Sequence, residues 1–369
     1  MKKVLNFVKQ ETVLSVAWVL ALVSMVLVPP DGGYAGYVDF HTLGLLFSLM
    51  TVMEGLQGLG LFRHLGEALL GRTATTRQLE ACLIFLPFFS SMLVTNDVAL
   101  ITFVPFALEV LILAGQENRV VPVVALQTIA ANLGSMTTPI GNPQNLYLYG
   151  HYGLTLGDFF SLMLPLTAVA ALLLALCLVG TPSQPLSIPP FFSAPMGREK
   201  RLALYLPLFL LCLGVVADVL SVWLVTALVL AAALVFDRNV LKRVDYALLL
   251  TFVGFFLFVG NLGRLPVFRD FFQTVLAGHE VLCAVAVSQA ISNVPAALLL
   301  SGFTDNGAAL LVGTNLGGLG TLIASMASLI SFKQVAKYDG KLRGRYLLWF
   351  TVSNLMFLAI LYGFYTLVL

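Results

Sequence analysis

The sequence predicts an all-α polytopic membrane protein of two inverted repeats, with about nine transmembrane crossings, two re-entrant hairpins and two broken helices. Three observations lead to this fold class. The chain of 369 residues is 59% hydrophobic and only 10% charged, whereas soluble proteins average about 45–50% apolar and about 25% charged residues. Its apolar runs reach bilayer length, and a short polar motif occurs in both halves. The runs follow one another so closely that we expect one membrane unit and no separate soluble domain.

Composition and motifs also limit the classes of function. The net charge of +2 is too small to indicate a nucleic-acid partner, so we expect none. The four cysteines lie singly in apolar segments, without CxxC spacing, which predicts neither a transition-metal site nor a disulfide. The sequence has no HExxH or GxSxG motif, so we expect no enzyme. We expect membrane lipid and a small solute as partners, and a sodium ion or a proton as coupling ion in place of a cofactor.

Nine apolar runs can cross a bilayer, which takes about 17 to 25 residues. They cover residues 12–29, 40–62, 121–149, 158–180, 202–217, 219–236, 246–262, 308–331 and 346–368. Two further apolar stretches, 78–115 and 271–303, are interrupted partway by polar residues. We expect these two stretches to be re-entrant hairpins, each of which enters and leaves on one side of the membrane.

The distribution of basic residues supports the two hairpins. With a cytoplasmic N-terminus, this topology leaves only Arg264 and Arg269 outside among the 20 Lys and Arg residues. Such a bias follows the positive-inside rule. If either interrupted stretch were a single crossing, every later loop would change sides and the bias would be lost. We therefore predict a multi-pass protein of the cell inner membrane or plasma membrane, with the N-terminus cytoplasmic and the C-terminus outside.

A repeated motif and a Pro-rich segment define the predicted halves. AANLGSMTTPIGNPQNL at 130–146 aligns with GTNLGGLGTLIASMASL at 313–329, which pairs Asn132 with Asn315. Inverted repeats of this kind are a recurrent plan of secondary transporters. The predicted parts are a first repeat at 1–180 with its hairpin at 78–115 and broken helix at 121–149, a Pro-rich cytoplasmic linker at 181–201, a connecting helix at 202–217, and an inverted second repeat at 218–369 with its hairpin at 271–303 and broken helix at 308–331.

Both predicted broken helices carry polar residues at membrane depth. The first combines Pro and Gly with Thr137, Thr138 and Asn142, and the second places Asn315 and Thr321 among glycines. Irregular backbone is tolerated in a bilayer only where it is buried in protein or lines a cavity. Its free carbonyls suit a cation and its free N–H groups suit an anion. For the second break, close helix packing through small residues is the alternative.

Acidic residues in apolar surroundings are the other candidates. Asp97 follows Thr95 and Asn96 at the tip of the first hairpin, where a charge costs at least roughly 2.5 kcal/mol. Glu54 is either a proton or cation ligand, a partner for a donor on a neighbouring helix, or an interfacial carboxylate. The second tip, Ser292-Asn293, has no charge. The alternative for both tips is a shallow turn that reaches water.

Four segments resemble the ion transporter superfamily, which includes arsenite efflux permeases, NhaD-type antiporters, citrate permeases and divalent anion:sodium symporters. They are VMEGLQGLGLF (52–62), VTNDVALITFVPFAL (94–108), NLGSMTTPIGNPQNLYL (132–148) and ISNVPAALLLSGF (291–303). The chain is most similar to the small anion permeases of this superfamily. The resemblance implies a homodimer in which a scaffold holds the interface, while a transport domain with both hairpins and both broken helices moves as an elevator.

The chain departs from the superfamily at both hairpin tips. In the symporter branch each tip carries a Ser-Asn-Thr motif that binds sodium and substrate carboxylates. Here the final Thr is replaced by Asp97 at the first tip and by Val294 at the second. The first change puts an acidic group where a dicarboxylate would bind, so the identity of the substrate does not carry over.

These features lead to one expected function and one alternative. We expect a secondary active transporter of a small anion, a carboxylate or an oxyanion, coupled to sodium or protons. The alternative is a sodium/proton antiporter, because no basic residue within the membrane is available to bind an anion. A channel fits less well, since inverted broken-helix repeats suit alternating access. The expected substrate-binding residues are Thr95, Asn96, Thr137, Thr138, Asn142, Ser292, Asn293, Asn315 and Thr321, and the expected coupling residues are Asp97, Asn96, Asn142 and Glu54.

Overall fold

A computed structural model describes residues 11–71, 73–186 and 199–369, without the side chains of Phe62, Glu199 and Lys200. These residues form 17 α-helices and no β-strand, so the all-α prediction is confirmed for this part of the chain. Residues 187–198, most of the predicted linker, lie outside the described residues.

The helices fall into two series of similar order. The first series is α1 (Thr12–Leu27), α2 (Phe40–Gly58), α3 (Leu61–Leu70), α4 (Thr76–Ser90), α5 (Asn96–Leu113), α6 (Val120–Ser135), α7 (Pro143–His151) and α8 (Leu156–Val179). After α9 (Glu199–Val216), the second series is α10 (Val222–Phe236), α11 (Tyr246–Gly263), α12 (Pro266–Leu276), α13 (Glu280–Ile291), α14 (Asn293–Ser301), α15 (Gly307–Gly317), α16 (Met326–Tyr338) and α17 (Arg343–Val368).

Several helices are long and apolar enough to cross a membrane. Four pass this test on their own, α5, α8, α11 and the helix that ends the chain, or up to six if two bent pairs, α2 with α3 and α12 with α13, each count as one span. The shorter apolar helices include α1, α10 and α15. Together these helices make the chain a multi-pass membrane protein.

Contacts between the two series are reciprocal. Helix α1 packs along α11, and α10 packs along α2. Helix α4 packs along α6, while α13 packs along α15. Across the series, α16 packs against α5 and α14 packs against α7. Each limb of the two predicted hairpins therefore contacts a half of a predicted broken helix, and these elements enclose the polar residues described below.

Helix boundaries differ at two places from the apolar runs of the sequence. Within the predicted hairpin at 271–303, α12 ends at Leu276 and meets α13 at 112°. The bend follows Gly278, whose φ of +75° suits glycine, so the first limb begins at Glu280. Helix α9 begins at Glu199 instead of 202. The described start of the linker lies along the base of the first hairpin, where the Thr76 N–H donates to the Gln184 carbonyl (3.0 Å).

The glycine of the repeated Asn-Leu-Gly motif has a packing role in both halves. A Cβ atom on Gly134 would lie 2.0 Å from the carbonyl oxygen of Phe88, in the first limb of the first hairpin. A Cβ atom on Gly317 would lie 2.5 Å from the Oγ atom of Ser288, in the first limb of the second hairpin. In both halves only glycine allows the broken helix to approach its hairpin so closely.

We therefore expect Gly134→Ala to lower the thermal stability of the purified protein. The added methyl group meets backbone, which cannot rotate away, so the cost is about 1–3 kcal/mol, as for other overpacked sites. Gly150→Ala is the matched control, because its Cβ would meet only the Oγ1 atom of Thr42 at 3.7 Å. Equal midpoints of thermal unfolding for the two variants would contradict the role of Gly134.

Candidate functional site

The tip of each hairpin is tied to the break in the helix of its own half. Helix α5 begins at Asn96, whose backbone N–H donates to the carbonyl of Gly141 (3.2 Å) in the break between α6 and α7. Helix α14 begins at Asn293, whose backbone N–H donates to the carbonyl of Ala324 (3.0 Å) between α15 and α16. Gly141 and Ala324 occupy the same position in the aligned motif, so the two contacts are equivalent.

Asn315 joins the second half to the first break. Its Oδ1 atom accepts from the amide of Asn142 (3.0 Å), and its Nδ2 atom donates to Oδ1 of Asn145 (2.6 Å) and to the carbonyl of Leu311 (2.7 Å). Asn142 also caps α7, since its side chain accepts from the N–H of Asn145 (2.9 Å). This buried amide group holds the start of α7 against the end of α15.

Asn132 makes the equivalent connection in the other direction. Its Oδ1 atom accepts from Oγ of Ser325 (3.2 Å), and its Nδ2 atom lies 3.4 Å from Oγ of Ser328 and from the carbonyl of Gly318. The same Oδ1 atom accepts from the amide of Asn96 (2.9 Å). The aligned asparagines therefore each bind the first turn of the second half-helix in the opposite half, and Asn132 also holds the first hairpin tip.

The second tip is strained. Ser292 has φ +76° and ψ 156°, a region that residues other than glycine rarely occupy and that costs about 1–3 kcal/mol. The residue at the equivalent place in the first tip, Thr95, has an ordinary extended backbone with φ −66°. Such strain persists only where the surroundings impose it, and it is concentrated at functional sites.

A pair of variants isolates this strain. Ser292→Gly and Ser292→Ala both remove the hydroxyl group, but only glycine relieves the backbone. We expect Ser292→Gly to be more stable than Ser292→Ala by about 1 kcal/mol or more, measured as the difference between their thermal unfolding midpoints. Equal stability would mean that the tip relaxes to an ordinary conformation without cost.

Asp97 lies in the first turn of α5 and faces a cavity of about 120 Å³. The cavity is bounded by the first hairpin tip, the first break, α2 and the start of α11, and Asn142 is among its lining residues. The Oδ1 atom of Asp97 is buried and has no hydrogen-bond partner among the described residues. A buried carboxylate oxygen without a partner is costly, although the N-terminus of α5 favours a negative charge. The site therefore has room and electrostatic reason to accept a cation or a proton.

Glu54 lines the same cavity but has a partner. Its Oε2 atom lies 3.5 Å from Nε of Arg243, and its side chain is 26% exposed. The Arg243 guanidinium also donates to the backbone carbonyl of Glu54 (3.3 Å). Of the alternatives for Glu54, this geometry fits a carboxylate that pairs with a neighbouring donor.

Asp245 is a carboxylate of this region that the sequence analysis missed. It caps α11, because its Oδ1 atom accepts from the N–H of Leu248 (2.9 Å). It lines the cavity of Asp97 and also a second cavity of about 480 Å³, which extends to Ser292 and Val294 at the second tip. In the described part of the chain, no three His, Cys, Asp or Glu side chains are arranged to hold a metal ion. The carboxylates of the first cavity therefore do not converge on one point.

The predicted threonines of the two breaks contact structural partners. The Oγ1 atom of Thr137 lies 3.1 Å from Oγ1 of Thr167 on α8, and the hydroxyl of Thr138 donates to the carbonyl of Met92. Thr321 is exposed, and its N–H donates to Oε1 of Gln289 (2.9 Å). These three residues hold the breaks in place. Of their groups, the backbone carbonyl of Thr138 joins the asparagine contacts, because it accepts from Nδ2 of Asn145 (3.1 Å).

Gln289 is a second residue that the sequence analysis missed. Its Nε2 atom donates to the carbonyls of Gly317 (3.0 Å) and Leu319 (2.9 Å) at the second break. The only sequence signal was the polar pair Ser288-Gln289 in an apolar limb of the second hairpin. Gln289 satisfies carbonyls that the end of α15 leaves free.

Comparisons with known proteins identify the family of this chain. A family model described as citrate transporter matches residues 5–312. The chain is 32% identical to inner membrane protein YbiR of Escherichia coli over 302 residues, 80% of each chain, and 31% identical to an uncharacterized transporter of Methanocaldococcus jannaschii over 331 residues, 89% of each chain. A 123-residue stretch, 33% of this chain and 24% of the relative, is 38% identical to the silicon efflux transporter LSI3 of Oryza sativa. The resemblance to the ion transporter superfamily is thereby confirmed, and the chain belongs to its citrate transporter family of membrane transporters.

Proposed function

We propose that the protein is a secondary active transporter of a small anion, a carboxylate or an oxyanion, coupled to sodium or protons. The observation that carries this proposal is the Asp97 carboxyl group, which lines a cavity at the first hairpin tip and whose buried Oδ1 atom has no hydrogen-bond partner among the described residues. An acidic residue inside a membrane protein is a functional-site hypothesis by default. Its neighbours are amide groups and helix ends, which suit the transient binding of small ions.

The proposed framework consists of two inverted repeats, 1–180 and 218–369, joined by the linker and one connecting helix. The reciprocal packing of α1 on α11 and of α10 on α2 supports it, as do the equivalent bonds of Asn132 and Asn315. In this framework there are nine crossings, and α5 is a limb of a re-entrant hairpin despite its length. The tie between Asn96 and Gly141 supports the hairpin, since it brings the start of α5 to the depth of the first break.

In the proposed coupling site, Asp97 binds the cation or proton. Asn96 and Asn142 complete its oxygen surroundings, since hard cations favour carboxylate and amide oxygens. Glu54 contributes through its charge at the edge of the cavity, because its carboxylate is already paired with Arg243. A bound cation would neutralise Asp97 and so remove its repulsion of an anionic substrate.

In the proposed substrate site, the anion binds between the two tips. Helices α5, α7, α14 and α16 all begin at the tips or breaks, and helix N-termini favour negative charge. Thr95, Asn96, Ser292 and Asn293 supply hydroxyl and amide donors from the tips. Asn142 donates a hydrogen bond to Asn315 here. In this proposal the two side chains exchange that hydrogen bond for hydrogen bonds to the substrate.

We also propose a defined orientation in the membrane, a homodimer and elevator-type alternating access. The first cavity reaches the end of α2 and the start of α11, which the positive-inside rule assigns to the cytoplasm. The structure would then represent a state open to the cytoplasm. A cytoplasmic N-terminus, an outer C-terminus and residence in the inner membrane belong to the same proposal, and YbiR is named an inner membrane protein.

A sodium/proton antiporter is the second candidate function. It is favoured by the charge of the first cavity, whose lining includes Glu54, Asp97 and Asp245 but no Lys or Arg among the described residues. The nearest guanidinium, that of Arg243, is engaged by Glu54. Such a lining attracts cations and disfavours anions that arrive without one.

Transport by purified protein in liposomes separates the two functions. We expect uptake of radiolabelled citrate or of orthosilicate, tested separately, to depend on an imposed sodium or proton gradient. The antiporter instead predicts sodium-driven proton flux, followed with a pH-sensitive dye, without any added anion. If neither gradient drives any flux through the wild-type protein, both proposals are wrong.

A further inference from the structure

We propose that Asp245 draws the coupling cation to Asp97 and thereby sets the affinity of the site for that cation. This inference rests on the proposed role of Asp97. Asp245 lies at the start of α11, outside both hairpins and both broken helices. Asp245 would act through its charge across the cavity, without being a ligand of the bound ion.

The position of Asp245 is the first support. It is exposed, and it lines both the cavity of Asp97 and the larger cavity that extends to Ser292. The two cavities therefore meet beside one carboxylate. A cation in either cavity is exposed to the charge of Asp245.

The balance of charge is the second support. In the first cavity, Glu54 is paired with Arg243, whereas no ion pair of the described residues includes Asp97 or Asp245. In the second cavity, Glu11 and Lys333 have opposite charges. Among the charged residues that line the two cavities, Asp245 lines both and has no ion-pair partner among the described residues. It lines the first cavity together with Asp97, whose buried Oδ1 atom has no hydrogen-bond partner among the described residues.

A charge in this position acts over distance. A cavity lined by one sign of charge concentrates counter-ions, and an exposed charge is screened by salt. Removal of the Asp245 charge should therefore weaken cation binding at Asp97, and added inert salt should weaken it in the same way. A purely structural role as a helix cap would give no such dependence on salt.

Asparagine separates charge from structure, because Asn caps a helix about as well as Asp. The test variant is Asp245→Asn, with Asp245→Ser as a second capping residue. The matched control is Asp39→Asn, since Asp39 caps α2 with the same geometry, accepting from the N–H of Thr42 (2.9 Å), and lines neither cavity.

The readout is labelling of Asp97 by dicyclohexylcarbodiimide, which reacts with protonated carboxyl groups, quantified by mass spectrometry on the purified full-length protein. Sodium chloride and pH are varied separately, with choline chloride as the inert salt. Asp97→Asn identifies the peptide signal. In Asp245→Asn and Asp245→Ser we expect the sodium concentration that halves the labelling of Asp97 to be about threefold to tenfold higher than in the wild type. If sodium does not protect Asp97, we expect the proton concentration that gives half-maximal labelling to rise by the same factor. Added choline chloride should shift the wild type towards the variants and leave the variants nearly unchanged.

The outcomes distinguish this inference from the proposed function. If labelling of Asp97 responds to sodium or pH equally in wild type, Asp245→Asn and Asp39→Asn, the inference is wrong and the role of Asp97 stands. If Asp39→Asn weakens the affinity as much as Asp245→Asn does, the effect is structural and the inference is also wrong. If labelling responds to neither sodium nor pH in the wild type, the coupling role of Asp97 fails and the inference fails with it.

Discussion

Asp97→Asn is expected to insert and fold normally but to lose cation-coupled flux by more than about tenfold, which corresponds to about 1.4 kcal/mol of cation binding. The amide has nearly the shape of the carboxyl group and retains hydrogen-bonding capacity, so only the charge and the titratable proton are lost. Because Oδ1 of Asp97 has no partner among the described residues, the substitution breaks no hydrogen bond of that atom. The measurement is gradient-driven uptake in proteoliposomes, with thermal unfolding as the test of folding.

Glu54→Gln is the matched control for this prediction. Both acids line the cavity, but Glu54 is partly exposed and paired with Arg243, and partly exposed ion pairs contribute little, about 0–1 kcal/mol. We expect its effect on flux to be smaller than that of Asp97→Asn. Unchanged cation and pH dependence in Asp97→Asn would mean that Asp97 is only a turn residue, and the site would then consist of the neutral asparagines and hydroxyl groups.

Loss of either motif asparagine should have the second large effect. Asn132→Ala removes the bonds to Asn96 and Ser325, and Asn315→Ala removes those to Asn142 and Asn145. Each substitution leaves buried polar partners unsatisfied, at a cost of about 1–3 kcal/mol. We expect both variants to unfold at lower temperature and to transport poorly, because the halves lose their contact at the breaks.

Asn354→Ala is the control for these two substitutions. Asn354 is also a buried asparagine, but its amide donates only to the carbonyl of Phe350 one turn earlier (2.8 Å), and its Oδ1 atom has no partner among the described residues. Its loss should therefore change stability by much less. If all three alanine variants were equally stable and active, the reciprocal bonds would have no role in joining the halves.

The sequence predicted the parts of the site whose signal is local. Pro and Gly in a polar stretch indicated the first break, which the structure has between Ser135 and Pro143. Alignment of the motif paired Asn132 with Asn315, because both follow the same pattern of neighbours. A carboxyl among apolar residues singled out Asp97, and the structure leaves its Oδ1 atom without a partner among the described residues.

The sequence could not predict features that depend on packing between distant segments. Asp245 has the local signature of an ordinary helix cap, and only the tertiary fold places it in the lining of the cavity of Asp97. Thr321 matches Thr138 in the alignment, yet it is exposed while Gln289 satisfies the second break. The separate helix α12 was not recognised, because Gly278, His279 and Glu280 interrupt the apolar stretch without showing that the chain bends by 112° there.

The proposed inverted arrangement requires two re-entrant hairpins that enter the membrane from opposite sides. Helix α5 is long enough by itself to cross a bilayer, so its orientation needs a direct test. We suggest labelling single cysteines, on a background without the four native ones, with a membrane-impermeant maleimide in sealed vesicles of known orientation. Four exposed sites flank the hairpins: Ala74 and Asn118 for the first, and His279 and Asp305 for the second.

The result of this labelling is decisive for the inverted arrangement. Cysteines at 74 and 118 should both react from the cytoplasmic side, and cysteines at 279 and 305 should both react from the opposite side. Labelling of 74 and 118 from opposite sides would make the first hairpin a full crossing and contradict the inverted repeats, the convergence of the two tips and the site proposed between them.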